Sequence, residues 1–124
     1  MRPIVALDTN MLLVPFQFGV DIFDEIRRLV PGAKIVVLKG TIRELNKIAE
    51  QGVKEKKYVL LAKRLLDMHR VEIVNRDGPV DSELLRLARE GVIIATNDRE
   101  LKRKVWDVGG RVIALREKNR LELF

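Results

Sequence analysis

Short apolar runs alternate with helix-patterned segments along almost the whole chain, and that alternation leaves few folds open. Pro3–Leu7 (PIVAL), Ala33–Leu38 (AKIVVL), Val71–Val74 (VEIV), Val92–Ala95 (VIIA) and Arg111–Leu115 (RVIAL) each read as a strand. Most are continuous apolar runs, as expected of strands covered on both faces. Between them, apolar residues recur at helical spacing. Ile22, Phe23, Ile26, Leu29 and Val30 mark one helix, stopped by Pro31-Gly32. Ile42, Leu45, Ile48 and Ala49 mark another, and Val53–Arg70 carries a longer one. Leu84, Leu87 and Ala88 belong to a helix closed by Gly91, and Leu101, Val105 and Val108 to one ended by Gly109-Gly110. Strand and helix in strict turn predict an α/β domain with a largely parallel sheet covered by helices. With 124 residues and no repeat or linker, one domain over 1–124 is expected.

Hydrophobic residues make up 47% of the chain, enough apolar surface to offset the entropy of ordering it. No apolar run approaches the roughly 20 residues of a membrane span. Met1-Arg2-Pro3 leads straight into a strand-like run, so no leader is expected. The absence of cysteine excludes a disulfide framework and a thiolate metal site. The expected compartment is therefore the cytoplasm. The net charge of +6 favours phosphate-rich partners such as RNA or DNA.

Four acids stand where such a fold places chemistry. Asp8 follows the first strand and Asp98 the fourth. Ligands of open α/β sheets bind outside the carboxyl ends of the strands, and parallel strands put both residues at that edge. Glu44 and Asp81 open the helices after the second and third strands, at the same rim. Each acid alone has a local explanation. Thr41-Ile42-Arg43-Glu44 fits a capping box, Asp81 and Asp98 fit helix N-caps, and Asp8 can close a turn. The set is harder to explain. Two unit charges about 5 Å apart cost roughly 3 kcal/mol at an effective dielectric near 20. A divalent cation removes that cost, and an all-carboxylate site suits Mg²⁺ or Mn²⁺. Asp8 and Asp98 are the core ligands in this reading. Glu44 and Asp81 are ligands, outer partners or the base for a water.

Thr9, Asn10, Thr96 and Asn97 flank the acids, where hydroxyls can orient carboxylates and can equally make turn and capping bonds. Arg99 and Arg103 share a helix face that begins beside Asp98, a place for a substrate phosphate. Lys56, Lys63 and Arg70 form a second basic stripe, read as a solvated face. His69, the only histidine, reads as structural. Phe16, Phe18 and Trp106 read as core or dimer contacts rather than stacking platforms for bases.

Asp8-Thr9-Asn10 after a first strand resembles the opening motif of PIN domains (PilT N-terminus-like). Val92–Leu101 (VIIATNDREL) resembles their last acidic motif, and Glu44 and Asp81 take the places of the second and third acids. The resemblance covers nearly the whole chain. It implies a Rossmann-like three-layer α/β/α sandwich with a central parallel five-stranded sheet. It also implies Mg²⁺- or Mn²⁺-dependent endoribonuclease activity, usually on single-stranded RNA, and often a homodimer. Ile94–Val105 and Ile113–Leu123 look most like the rRNA-processing PIN endonucleases of the small-subunit processome and their archaeal relatives. The toxin branch, with an antitoxin partner, is the second expectation. A non-catalytic RNA-binding assembly factor on the same fold is the third. A haloacid-dehalogenase-type phosphatase wants a second aspartate where Asn10 stands. A dinucleotide site lacks its G-x-G-x-x-G.

Overall fold

The computed structural model describes residues 2–124. The strands are β1 (Ile4–Leu7), β2 (Lys34–Leu38), β3 (Glu72–Val74), β4 (Ile93–Ala95), β5 (Val112–Arg116) and β6 (Arg120–Leu123). The helices are α1 (Val14–Phe18), α2 (Ile22–Leu29), α3 (Lys39–Ala49), α4 (Val53–Met68), α5 (Val80–Arg89) and α6 (Arg99–Asp107), with a 3₁₀ turn at Asn10–Leu13. The sheet order is β3-β2-β1-β4-β5-β6. β1 to β5 are parallel, and β6 returns antiparallel on β5. The predicted α/β class and the five parallel strands are all present.

Two features were not legible as elements. β6 has only four residues of alternating pattern behind a turn without glycine or proline. In that turn Glu117 and Lys118 themselves adopt left-handed φ of 53° and 59°. The 3₁₀ turn and α1 lie in a stretch apolar on all sides, with Met11, Leu12, Leu13 and Val14 all buried, so no helical period marks them.

Side chains alternate across the sheet. Val5, Leu7, Ile35, Val37, Ile93 and Ile113 meet Phe23 and Ile26 of α2, Leu45 of α3 and Val59, Ala62 and Leu66 of α4. Ala6, Val36, Leu38, Ile94, Val112 and Ala114 meet Leu84 and Leu87 of α5 and Leu101 and Val105 of α6. The two apolar layers make the α/β/α sandwich. Among the described residues no helix is long and apolar enough to cross a membrane.

The outer edge of β6 is covered by side chains rather than by another strand. Leu121 turns its N–H and C=O away from β5. The N–H donates to Glu25 Oε1 at 3.0 Å, and Arg28 Nη2 donates to the carbonyl at 3.1 Å. Glu25 and Arg28 are themselves paired at 3.1 Å on α2. Their ion pair thus substitutes for the missing neighbour strand and blunts an edge open to aggregation. The Arg28 guanidinium, then the Leu121 amide, hold the Glu25 carboxyl below the usual range. Glu25→Ala is expected to cost about 1 kcal/mol and to speed amide exchange in β6 ahead of β1 and β4. Hydrogen exchange read by mass spectrometry checks both strands in one experiment.

Candidate active site

The strand order reverses between β1 and β4: the chain fills one side of the sheet from β1, then crosses back to fill the other from β4. Such a switch point opens a crevice at the carboxyl ends of the strands. Leu7 pairs with Ala95 in register, and the Asp8 N–H extends the ladder by donating to the Ala95 carbonyl at 3.1 Å. Asp8 and Thr96 therefore emerge side by side.

Asp8 is buried, with 7% of its surface exposed, and Thr96 is fully buried. The Met11 N–H donates to Asp8 Oδ1 at 2.8 Å, which closes the 3₁₀ turn. The Thr96 hydroxyl donates to Asp8 Oδ2. That hydroxyl accepts in turn from the Asp98 N–H at 3.1 Å. Asp98 caps α6, with Oδ1 accepting from the Leu101 N–H at 2.8 Å. One threonine thus ties the acid of β1 to the acid after β4. Asn97 faces the other way. Its Oδ1 accepts from the Leu115 N–H at 2.7 Å and anchors β5.

Glu44 arrives from α3, where the Thr9 hydroxyl donates to its Oε1. The capping-box reading of Thr41 and Glu44 is not what the structure shows. β2 runs into α3 without a loop, so the helix begins at Lys39 with Leu38 at its N-cap. Thr41 lies inside the first turn, fully buried, and its hydroxyl has no hydrogen-bond partner among the described residues. Asp81 is not the cap of α5 either. That helix starts at Val80 behind Pro79, which leaves Asp81 in the first turn with no capping bond. Its charge is favoured there by the helix dipole. The loop leading to it is pinned by Arg76, whose two terminal nitrogens donate to both oxygens of Glu90 at 3.0 and 2.9 Å. Gly40 lets α3 and α5 approach. A Cβ there would lie 2.7 Å from Val80 Cγ2 and push apart the helices that carry Glu44 and Asp81.

The electrostatics show that the acids share one neighbourhood. Burial pushes the Asp8 carboxyl up from its ordinary 3.8 to about 6, against the bonds from Thr96 and Met11, with the charges of Asp81 and Asp98 adding to the rise. Asp81 is raised by desolvation, then by the charges of Asp98 and Glu44, with Lys104 opposing. Among the described residues, none of the four acids has an ion-pair partner within 4.0 Å. No three of them stand close enough to clasp an ion together. The fit to a cation therefore rests on donor chemistry. These are hard carboxylate oxygens, mutually repelling and uncompensated, of the kind that suits Mg²⁺ or Mn²⁺.

Around the acids run shallow hollows. Thr9, Asn10, Glu44 and Lys47 line one of about 330 Å³. Arg43 and Lys47 border a second beside Asp77–Val80. Lys102 and Lys118 border a third beside Asn10 and Asn97. These four cations were not singled out in the sequence, because they come from α3, α6 and the β5–β6 turn and reach these hollows only in the fold. Arg99 and Arg103 stand exposed on α6. On the far side, Lys63 bonds to the Asn46 side chain. His69 stacks on Phe23 at 4.0 Å, and its Nδ1 lies 3.0 Å from Arg27 Nη2, in keeping with a structural role.

The raised Asp8 sets a pH dependence for the metal-free protein. Between pH 3.8 and about 6 the folded state holds a proton that the unfolded state has released. Stability from this group is therefore present at low pH and lost as pH rises through about 6. The gap corresponds to roughly 3 kcal/mol. In EDTA at neutral pH, Asp8→Asn is expected to melt higher than the wild type and to lose this part of the pH dependence. Calorimetry across pH 4–8 reads both.

The comparisons with known proteins agree with this geometry. The chain is 30% identical to ribonuclease VapC4 of Methanocaldococcus jannaschii, over 97% of its own length and 95% of that protein's. It is 29% identical to ribonuclease VapC9 of Archaeoglobus fulgidus, over 94% of this chain and 85% of that one. Its fold matches the structure of the PIN domain endonuclease Utp24 with a TM-score of 0.78 at 18% identity, covering 97% of this chain and 90% of that one. The family model described as PIN like domain matches residues 5–118, a span that holds the switch point and all four acids. By that match and by its full-length relatives, the chain belongs to the PIN domain family.

Proposed function

We propose that the protein is a metal-dependent endoribonuclease that hydrolyses phosphodiester bonds of single-stranded RNA in the cytoplasm. The observation that carries this reading is the set of Asp8, Glu44, Asp81 and Asp98 at the switch point, without an ion pair among the described residues, beside hollows lined by Arg43 and Lys47. Kinship with two proteins named ribonucleases supports RNA as the substrate.

Asp8 and Asp98 would hold Mg²⁺ or Mn²⁺, with Asp81 and Glu44 completing its surroundings. The chemistry such an ion supplies when bound is a lowered pKa of water and stabilisation of charge on the phosphodiester. The remaining work falls to the chain. Thr96 fixes the Asp8 carboxylate and Thr9 fixes Glu44, so neither acid must reorganise when charge develops. Glu44 or Asp81 would take a proton from the attacking water. Arg43 and Lys47 offset the repulsion between a polyanionic strand and an acidic site. Asn10 sits at the rim, where the hollows meet.

Two cellular roles are consistent with this chemistry. The motif Ile94–Val105 and the tail Ile113–Leu123 support processing of ribosomal RNA precursors. The full-length similarity to VapC ribonucleases favours a toxin nuclease held by an antitoxin. Growth arrest on expression, relieved by the product of an adjacent reading frame, supports the second; accumulation of unprocessed rRNA on depletion supports the first.

Single-stranded RNA incubated with the protein and Mn²⁺ is expected to be cut internally, with cleavage abolished by EDTA and reduced at least about a hundredfold in Asp8→Asn. Equal cleavage by the variant, or in EDTA, contradicts the proposal, and so does intact RNA in every tube. Mn²⁺ is also expected to raise the melting temperature of the wild type and to leave that of Asp8→Asn nearly unchanged.

A further inference from the structure

Phe18 was read from the sequence as a core or dimer contact, and the structure leaves it outside the core, with 40% of its surface exposed. It ends α1, where Val14, Gln17 and Phe18 share one face at i, i+3 and i+4 spacing. The opposite side of α1 is fixed by Phe16, whose ring stacks on Tyr58 at 5.6 Å. Phe18 is therefore an aromatic on a braced helix end with its ring available. It lines a hollow of about 340 Å³ with Asn10, Gln17, Asn97, Lys102 and Lys118. That volume falls in the roughly 300–1,000 Å³ range of small-ligand clefts.

The chemistry of this lining is specific. Asn97 spends its carbonyl oxygen on the Leu115 amide, which leaves its NH₂ as a donor. Asn10 and Gln17 add amides that both donate and accept. Lys102 and Lys118 have no ion-pair partner among the described residues, in a chain where nine such pairs form elsewhere. Lys118 is carried over the hollow by the left-handed β5–β6 turn. An aromatic face, amides for the edge of a base and lysines for a phosphate are the parts of a single-stranded nucleotide site. Asn10 also lines the hollow that holds Thr9 and Glu44, so the two spaces adjoin.

We infer that this hollow receives one unpaired nucleotide of the RNA strand adjoining the bond to be cut, with its base on Phe18 and its phosphate at Lys102 and Lys118. The identity of the ligand as RNA rests on the ribonuclease reading; the site itself rests on the hollow and its lining. It gives the enzyme a hold on single strands, since a base in a duplex has no free face to stack.

The test is binding of a short fluorescein-labelled oligouridylate to the whole protein in EDTA, read by anisotropy, with melting curves to confirm that each variant folds. Phe18→Ala is expected to weaken binding about tenfold, and Phe18→Trp to restore it. Lys102→Ala and Lys118→Ala are each expected to flatten the dependence of log affinity on log salt by up to about 0.7. Unchanged affinity in Phe18→Ala overturns the inference. Restoration by Phe18→Leu as full as that by Phe18→Trp also overturns it, since an apolar contact then suffices. Failure here and failure of the nuclease reading are separable. Cleavage with Phe18-independent binding sinks the nucleotide site alone, and Phe18-dependent binding without cleavage in Mn²⁺ sinks the nuclease alone.

Discussion

The pairing of β1 with β4 is the contact on which the rest of the molecule depends. It joins the two halves of the sheet, and it is where the strand order turns back on itself. The bond from the Asp8 amide to the Ala95 carbonyl carries the ladder one residue past the strand ends. That extra rung delivers a buried carboxylate beside a buried threonine. Ionising Asp8 there costs stability, and the fold offsets part of that cost with bonds from Thr96 and Met11. A buried carboxylate kept at a cost in stability is a common arrangement where stability is given up for function.

The surrounding structure supports that seam from both faces. α3 brings Glu44 only because Gly40 permits close contact with Val80, and α5 brings Asp81 behind a loop clamped by Arg76 and Glu90. The two threonines after β1 and β4 do equivalent work, each donating its hydroxyl to an acid from a different element. The positioning is thus spread over β1, β4, α3, α5 and α6. The carboxylates are also coupled by charge, since Asp98 and Asp81 raise Asp8, and Asp98 and Glu44 raise Asp81.

Much of this was legible before the fold. Most of the parallel strands were visible as continuous apolar runs, since burial on both faces leaves little other composition open to them, and the edge strand β3 was read from a short run that includes Glu72. Asp98 as an N-cap was correct, and the cap coexists with its place among the acids because a carboxylate has lone pairs to spare. The capping box at Thr41 was misleading for a physical reason. A box presumes a loop before the helix, and β2 enters α3 without one. β6 was hidden because its alternating Arg-Leu-Glu-Leu follows β5 through a turn without glycine or proline, and because its edge is satisfied by Glu25 and Arg28 from far away in the chain.

The sequence by itself determined the layer order and the rim on which the acids fall, because period and strand direction are local properties that dictate which edge a residue reaches. It also carried the two Asp-Thr and Thr-Asn-Asp segments from which the family could be read. Only the tertiary structure decided which hydroxyl serves which acid, and that Arg43 and Lys47 line hollows with Glu44 while Lys102 and Lys118 line one with Asn10 and Asn97. Only the fold put Phe18, read as a core or dimer contact, at the wall of a hollow. Those outcomes depend on contacts between elements far apart in the chain, and no local pattern encodes how such elements meet.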